Sequence, residues 1–310
     1  AREFSTNVLE GVAAKPGGQD LQSLVAYLED QPPGAVHWED AEELHRFGGT
    51  YAPSLVPLFT HHTAMSGWLD EASPLSVTLE RLNERLAHSP HRYPYYVPPD
   101  DPPEWDPATA VDELRLIGTR YLVTVSPQTT GVVLGLDGVD LLEQFGDLSL
   151  FDLGPASRVV PLGCSVGSPP QGTTLRMASS AWIRDYRPGD PWLVESSAKR
   201  EIDDACPEGM PVQPVDAVEI GFQRISFQTR SVGVPHLVRI SSFPNWSVTG
   251  GRGPYLAAPW FMIVIPDQET VTLKYGRTWV ELMGWLITLA GVAGLVVRRR
   301  LFPRDVDHES

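Results

Sequence analysis

Cysteine is scarce. Cys164 and Cys206 are the only two among 310 residues. At most one bridge can form within the chain, and no cysteine stands at zinc-ligand spacing. Positive charge is short as well, with 24 Lys and Arg against 39 Asp and Glu, a formal net charge of −15. That balance argues against nucleic acid as a partner and against tight docking on anionic lipid. The opening AREFSTNVLEG lacks the apolar stretch of a secretory leader. No Gly-rich phosphate cradle precedes a helix, which leaves nothing to suggest a nucleotide cofactor.

Long hydrophobic runs are also missing, with one exception. Residues 278–297 read TWVELMGWLITLAGVAGLVV, and from Leu282 to Val297 there is no charge, Pro, Asn or Gln. Twenty helical residues span roughly 30 Å, the thickness of a bilayer's hydrocarbon core. Trp279 and Trp285 lie toward one end, and Arg298, Arg299, Arg300 and Arg304 follow the other. Aromatic belts and the positive-inside rule then place the C-terminus in the cytoplasm and everything before the run outside the cell membrane. Ala290 and Gly294 form a small-xxx-small pair that lets another helix approach closely. The tail 298–310 carries a net +1, which leaves −16 on residues 1–297. Outside the membrane a Cys164–Cys206 bridge is expected, closing a loop of about 40 residues that stabilises by roughly 3–4 kcal/mol. An outside domain with a C-terminal anchor needs an earlier membrane-crossing segment. The chain therefore reads as the C-terminal piece of a longer multi-span protein, whose upstream helices would be partners along with lipid.

The spacing of apolar residues predicts helices over 19–30, 76–87 and 108–117, and strands over 35–38, 54–59 and 119–125. Residues 89–107 are too rich in proline for helix. Beyond Gly131 helical spacing fades. Apolar runs at 132–136, 148–153, 158–162, 215–220, 225–229, 236–240, 261–265 and 270–275 alternate with turn residues, as in a β-sandwich. The expected class is α+β: an α/β region over 1–128, an antiparallel β-sandwich over 129–277, a transmembrane helix over 278–300 and a cytoplasmic tail over 301–310.

No motif singles out a catalytic residue, a metal site or a cofactor. Gly163-Cys164-Ser165-Val166-Gly167 matches a nucleophile elbow, but that turn needs a helix directly after it, and Ser168-Pro169-Pro170 cannot begin one. His61-His62 is the one adjacent histidine pair, and neighbours in an extended chain point apart. Asp100-Asp101, Asp137 and Asp140 lack the alternating ligand spacing of a calcium loop. Aromatics on Gly/Pro turns carry more. Trp246, Tyr255 and Trp260, with Asn245 and Arg252 beside them, are carbohydrate-binding candidates, because a ring stacks on the C–H face of a pyranose while polar neighbours orient its hydroxyls. Packing inside a sandwich is the competing account of the same rings. Asn245-Trp246-Ser247 is also a glycosylation sequon.

A set of segments carries a resemblance. Gly233-Val234-Pro235-His236-Leu237-Val238, Ser242-Phe243-Pro244-Asn245-Trp246, Gly253-Pro254-Tyr255, Pro259-Trp260-Phe261-Met262-Ile263-Val264 and Leu273-Lys274-Tyr275-Gly276 occur in that order before the terminal span. Upstream stand Val36-His37-Trp38-Glu39, Phe47-Gly48-Gly49-Thr50, Met65, Gly67, Glu71-Ala72-Ser73, and Gly118 with Arg120-Tyr121. Together these resemble the C-terminal region of actinobacterial multi-pass membrane proteins related to YfhO-like and GT-C-type glycosyltransferases. Some of those proteins carry a pyruvoyl-tetrahydropterin synthase label, but this chain has no such zinc–histidine pattern. Ser66 departs from the family, which has Glu there. The resemblance implies a parent that transfers sugar from a polyprenyl-phosphate donor in cell-envelope glycan assembly. The catalytic acid of such enzymes lies in an early outer loop, so this part is implied to be non-catalytic, handling an envelope glycan acceptor. The alternative is a membrane-anchored structural or protein-interaction ectodomain without an enzymatic parent.

Overall fold

The computed structural model describes residues 14–47, 56–65, 75–90, 104–162, 164, 166–186, 190–205, 212–221 and 223–301; at Val77, Arg176, Ser180, Arg184 and 296–301 it describes backbone only. Helix α1 (Gly18–Glu29) buries Leu21, Leu24 and Leu28, one stripe at spacings of three and four. Strand β1 (Ala35–Trp38) leads through a 3-10 turn (Glu42–Phe47) and the single-turn α2 (Val56–Phe59) to β2 (Thr63–Ala64). The strand expected over 54–59 is thus helical where it is described. Helix α3 (Ser76–Leu86) precedes α4 (Pro107–Leu116), whose cap, Asp106, accepts from Thr109 N at 3.2 Å with Pro107 at the first helical position. Then come β3 (Tyr121–Thr124), α5 (Pro127–Val133), β4 (Asp140–Phe145) and β5 (Leu148–Asp152).

These strands form one sheet in the order β2-β1-β3-β5-β4. The first three are parallel, while β5 and β4 run antiparallel at the edge. Alternate residues face opposite sides. Val36, Trp38, Tyr121 and Val123 pack on α1, and Ala35, Leu122 and Phe151 pack on α3 and α4. The expected division at 128/129 falls inside α5. Residues 140–152 complete the first sheet, because β5 pairs with β3 rather than with any strand of the sandwich.

Two four-stranded antiparallel sheets follow. One holds β12 (Trp246–Thr249), β15 (Thr270–Tyr275), β10 (Arg224–Gln228) and β9 (Ala217–Gly221) in that order; the other holds β13 (Gly251–Ala257), β14 (Phe261–Pro266), β11 (His236–Val238) and β6 (Val159–Pro161). They share a core of Val159, Ile225, Phe227, Val238, Met262, Val264, Val271 and Leu273. Every residue of β14 is buried. Its other face, with Phe261, Ile263 and Ile265, joins the same core as α3 and α4. A sandwich sheet therefore lies between its partner sheet and the α/β region.

Residues 166–205, expected without helix, hold α6 (Leu175–Asp185), α7 (Ser196–Ala205) and a two-stranded parallel ribbon of β7 (Val166–Gly167) and β8 (Trp192–Leu193). Helix α7 buries only Ala198 and Ile202, which hides it from a periodicity reading.

The last helix, α8 (Trp279–Leu301), opens on a capping box. Thr278 N donates to Glu281 Oε2 at 2.6 Å, and Glu281 N to Thr278 Oγ1 at 3.3 Å. Residues 279–295 are exposed on every side, with Trp279 at 75%, Ile287 at 68% and Leu295 at 66%. Among the described residues no helix is long and apolar enough to cross a membrane.

Candidate functional site

Arg158 immediately precedes β6 and Arg239 immediately follows β11. The pairing of Val159 with Val238 makes them neighbours although they lie 81 residues apart. Arg239 N donates to Arg158 O at 2.8 Å. Arg158 Nη1 returns a bond to Arg239 O at 3.1 Å and lies 3.3 Å from Met65 Sδ, while Nη2 donates to Thr63 Oγ1 at 2.5 Å. Arg239 Nη1 donates to Ser157 O at 3.1 Å. Its Nε is buried with no hydrogen-bond partner. Gly118, at φ +87°, gives the second guanidinium its room, since a Cβ there would come within 2.8 Å of Arg239 Cδ.

Among the described residues no carboxylate pairs with either guanidinium. Both residues keep part of their surface open to solvent. Burial, with the neighbouring charge of Arg239 adding to it, lowers Arg158 to about 10. Burial also lowers Arg239 to about 10, the Tyr186 phenol pulling the other way. Both stay charged at neutral pH.

Tyr186, whose phenol acts electrostatically on Arg239, belongs to a cluster of rings. Trp182, Tyr186 and Trp192 lie at centroid separations of 4.9, 4.7 and 5.9 Å, and Trp192 rests on Phe261 at 6.4 Å. Trp182 Nε1 donates to Pro191 O at 3.2 Å. Strand β8 is held beside the β13–β14 turn, where Ala258 N donates to Leu193 O at 2.8 Å. That turn is at the same end of the sandwich as Arg239, because Val238 pairs with Met262. It is also the end from which α8 leaves, since Trp246 pairs with Tyr275 just before Gly276.

The five carbohydrate candidates do not form one site. Asn245 Nδ2 donates to Gly276 O at 2.9 Å and faces the Glu281 carboxylate at 3.4 Å, so it docks the linker into α8. Trp246 packs at the edge of the inter-sheet core, 5.2 Å from the Tyr275 ring and perpendicular to it, its Nε1 donating to Ser241 O at 3.3 Å. Trp260 and Tyr255 pack on the opposite side of their sheet, against the core shared with the α/β region. The Tyr255 hydroxyl donates to the Glu201 carboxylate on α7, and burial first, then that bond, push it up to about 12. Arg252 is at the opposite end of the sandwich, beside the turn that carries the chain from β12 into β13, paired with Asp267 at 3.1 Å.

The remaining motifs serve the structure. His61 and His62 stack at 4.5 Å, with His61 Nε2 2.9 Å from Gln31 O and His62 Nε2 2.7 Å from Leu28 O, so the rings are held by the last turn of α1 and the chain just after it. The Asp137 carbonyl accepts from Arg115 at 3.2 Å, and Asp140 begins β4. Val166 and Gly167 continue as strand and α6 starts only at Leu175, so the G-x-S-x-G segment makes no strand–turn–helix elbow. Among the described residues no three His, Cys, Asp or Glu are placed to hold a metal ion. Cys164 takes part in a disulfide. Cys206, Gly163, Ser165, Asp100-Asp101, Gly48 to Thr50, Ser66-Gly67 and Glu71 to Ser73 lie outside the described residues. The chain matches no family model, no curated protein and no solved structure.

The arginine pair and the three rings were not expected from sequence. No local pattern joins Arg158 to Arg239, since only strand pairing brings them together. A faint signal was present in a lone cation abutting an apolar run at each position. Chemically, the arrangement can hold an anion at its cations and present rings beside it.

Proposed function

We propose that this chain is a membrane-tethered, non-catalytic extracytoplasmic module, with α8 in the bilayer and the C-terminus in the cytoplasm. The carrying observation is α8 itself, whose residues 279–295 are exposed all round while the rest of the large apolar side chains mostly fill cores. A helix apolar on every side needs an apolar solvent. The described side chains stop at Leu295, but the backbone helix continues to Leu301, and Val296 and Val297 extend the uncharged stretch up to the arginines. On the resemblance of its segments, the module is the C-terminal part of a GT-C-type, polyprenyl-phosphate-sugar-dependent glycosyltransferase of the cell envelope, contributing to acceptor handling rather than to chemistry.

Two measurements test this. Full-length chain should stay with membranes in alkaline carbonate, whereas chain ended before Trp279 should be released. In intact cells a cysteine placed at Asp137 should react with an impermeant thiol reagent and one at Ser310 should not. Release of the full chain, or labelling at Ser310, overturns the topology. The coding sequence ahead of Ala1 tests the parent: several hydrophobic spans with an acid in the first outer loop are expected, and a simple secretory leader refutes it.

A further inference from the structure

We infer that Arg158 and Arg239 form a binding site for a phosphate group, on the end of the sandwich from which α8 departs. The arginine pair alone carries this site, independently of the membrane reading. Two like charges side by side repel, and among the described residues no acid compensates this pair. Backbone carbonyls and Thr63 Oγ1 take up some of the donors, which fixes the side chains in place. They supply no negative charge. The buried Arg239 Nε remains without an acceptor, and such a donor costs stability unless something fills it.

The charge and shape of the missing group follow. A carboxylate brings one charge and two oxygens, and would satisfy one guanidinium. A phosphate monoester brings up to two charges and three free oxygens, so two planar forks can grip it together. Gly118, having no side chain, lets the Arg239 side chain lie against its backbone and so fixes where that guanidinium sits. The ring of Tyr186, whose phenol acts on Arg239, with Trp182 stacked behind it, would face whatever the phosphate esterifies, a sugar or a lipid chain, by stacking or apolar contact.

The test uses the full chain in alkyl maltoside micelles, which contain no phosphate, with inorganic phosphate as first probe. At a hundred times its dissociation constant, phosphate should raise the unfolding midpoint by about 2–4 °C. Sodium chloride of equal ionic strength should not. Arg239→Gln should abolish the shift and Arg239→Lys should retain part of it. Should either variant fail to fold, unmutated protein decides: phosphate should shield Arg158 and Arg239 from phenylglyoxal, read by peptide mass spectrometry, while the exposed Arg252 stays reactive. A shift matched by chloride, a shift that survives Arg239→Gln, or no shielding overturns the site. Glucose 1-phosphate in solution and phosphatidate in the micelle then separate sources. A larger shift from the lipid assigns a membrane phosphate, and a larger shift from the sugar ester assigns a soluble one.

Discussion

Glu39 is clamped to Ser126. Its Oε1 accepts from Ser126 Oγ at 2.5 Å, and its Oε2 accepts from Ser126 N at 2.9 Å and Val125 N at 2.8 Å. Glu39 stands just past β1, and Ser126 just past β3 as the cap of α5, which starts with Pro127. Parallel strands of an open α/β sheet bind ligands beyond their carboxyl ends. Here a carboxylate of the chain itself takes the amide groups there, so the first sheet is a platform closed on itself. Glu39→Gln turns an acceptor into a donor facing donors. A loss of about 3 kcal/mol is expected, from charged hydrogen bonds broken and buried amides left open. Urea unfolding measures it, and a loss under about 1 kcal/mol would count against the clamp.

Two buried groups should tilt stability with pH in opposite directions. His37 is almost fully buried, neither ring nitrogen has a hydrogen-bond partner, and burial lowers it from 6.5 to about 4. The folded state then holds fewer protons than the unfolded one between those values, so stability is lost as pH falls from 6.5 toward 4. Glu113 is raised from 4.5 to about 7, chiefly by burial and only partly opposed by Arg85 at 2.5 Å. Its contribution is fully present below pH 4.5 and is lost as pH rises through 7. Each slope approaches about 1.4 kcal/mol per pH unit, and between 4.5 and 6.5 the two largely cancel. His37→Leu should make stability fall with pH across that window relative to the parent, and Glu113→Gln should make it rise. Denaturant midpoints at pH 5 and 6.5 decide it; parallel shifts in both variants would contradict the assignment.

Much of the first sheet was legible because its helices carry their own signal. Leu21, Leu24 and Leu28 repeat at helical spacing, and 121–124 is a run of strand-formers. The pairing partner of that run was not legible, since β5 joins β3 across a helix and a strand, a matter of packing and not of local pattern. In the sandwich, 261–265 and 270–275 stand out as apolar. β13 does not, because Gly251, Gly253 and Pro254 read as a turn; the strand accommodates them with a register shift between Arg252 and Tyr255, where Gly253 takes φ +111° and a Cβ would meet Ile263 O at 2.8 Å. The sugar-site candidates share only proximity to turns, and a turn does not tell the two faces of a sheet apart. Trp246 packs from one sheet into the inter-sheet core, whereas Tyr255 packs on the outward side of the other sheet, toward the α/β region.

The pairing of Cys164 with Cys206 is testable without mutation. Cys164 is disulfide-bonded, and the chain has one other cysteine. Non-reducing peptide mapping should recover one cross-linked pair containing both residues. Reduction should lower stability by roughly 3–4 kcal/mol for a loop of this length. Intermolecular dimers on a non-reducing gel would show that the bond joins two chains instead.

Trp246 separates a packing role from a sugar-binding one. The indole is half-buried, sits against Tyr275 at the edge of the inter-sheet core, and donates to Ser241 O. Removing a fully buried Trp costs about 3–5 kcal/mol, so for a ring buried in part Trp246→Ala should cost roughly 2–3 kcal/mol and lower the melting temperature. Because Asn245 ties Gly276 to the same corner, the loss should also loosen the junction with α8, seen as faster amide exchange at 274–277. Tyr255→Phe, on the other face, removes only the bond to Glu201 and should cost about 1 kcal/mol. Neither change should alter capture of the protein on immobilised envelope glycan. An unchanged melting temperature with weaker capture in Trp246→Ala would make that ring a stacking platform instead of the plug its contacts describe.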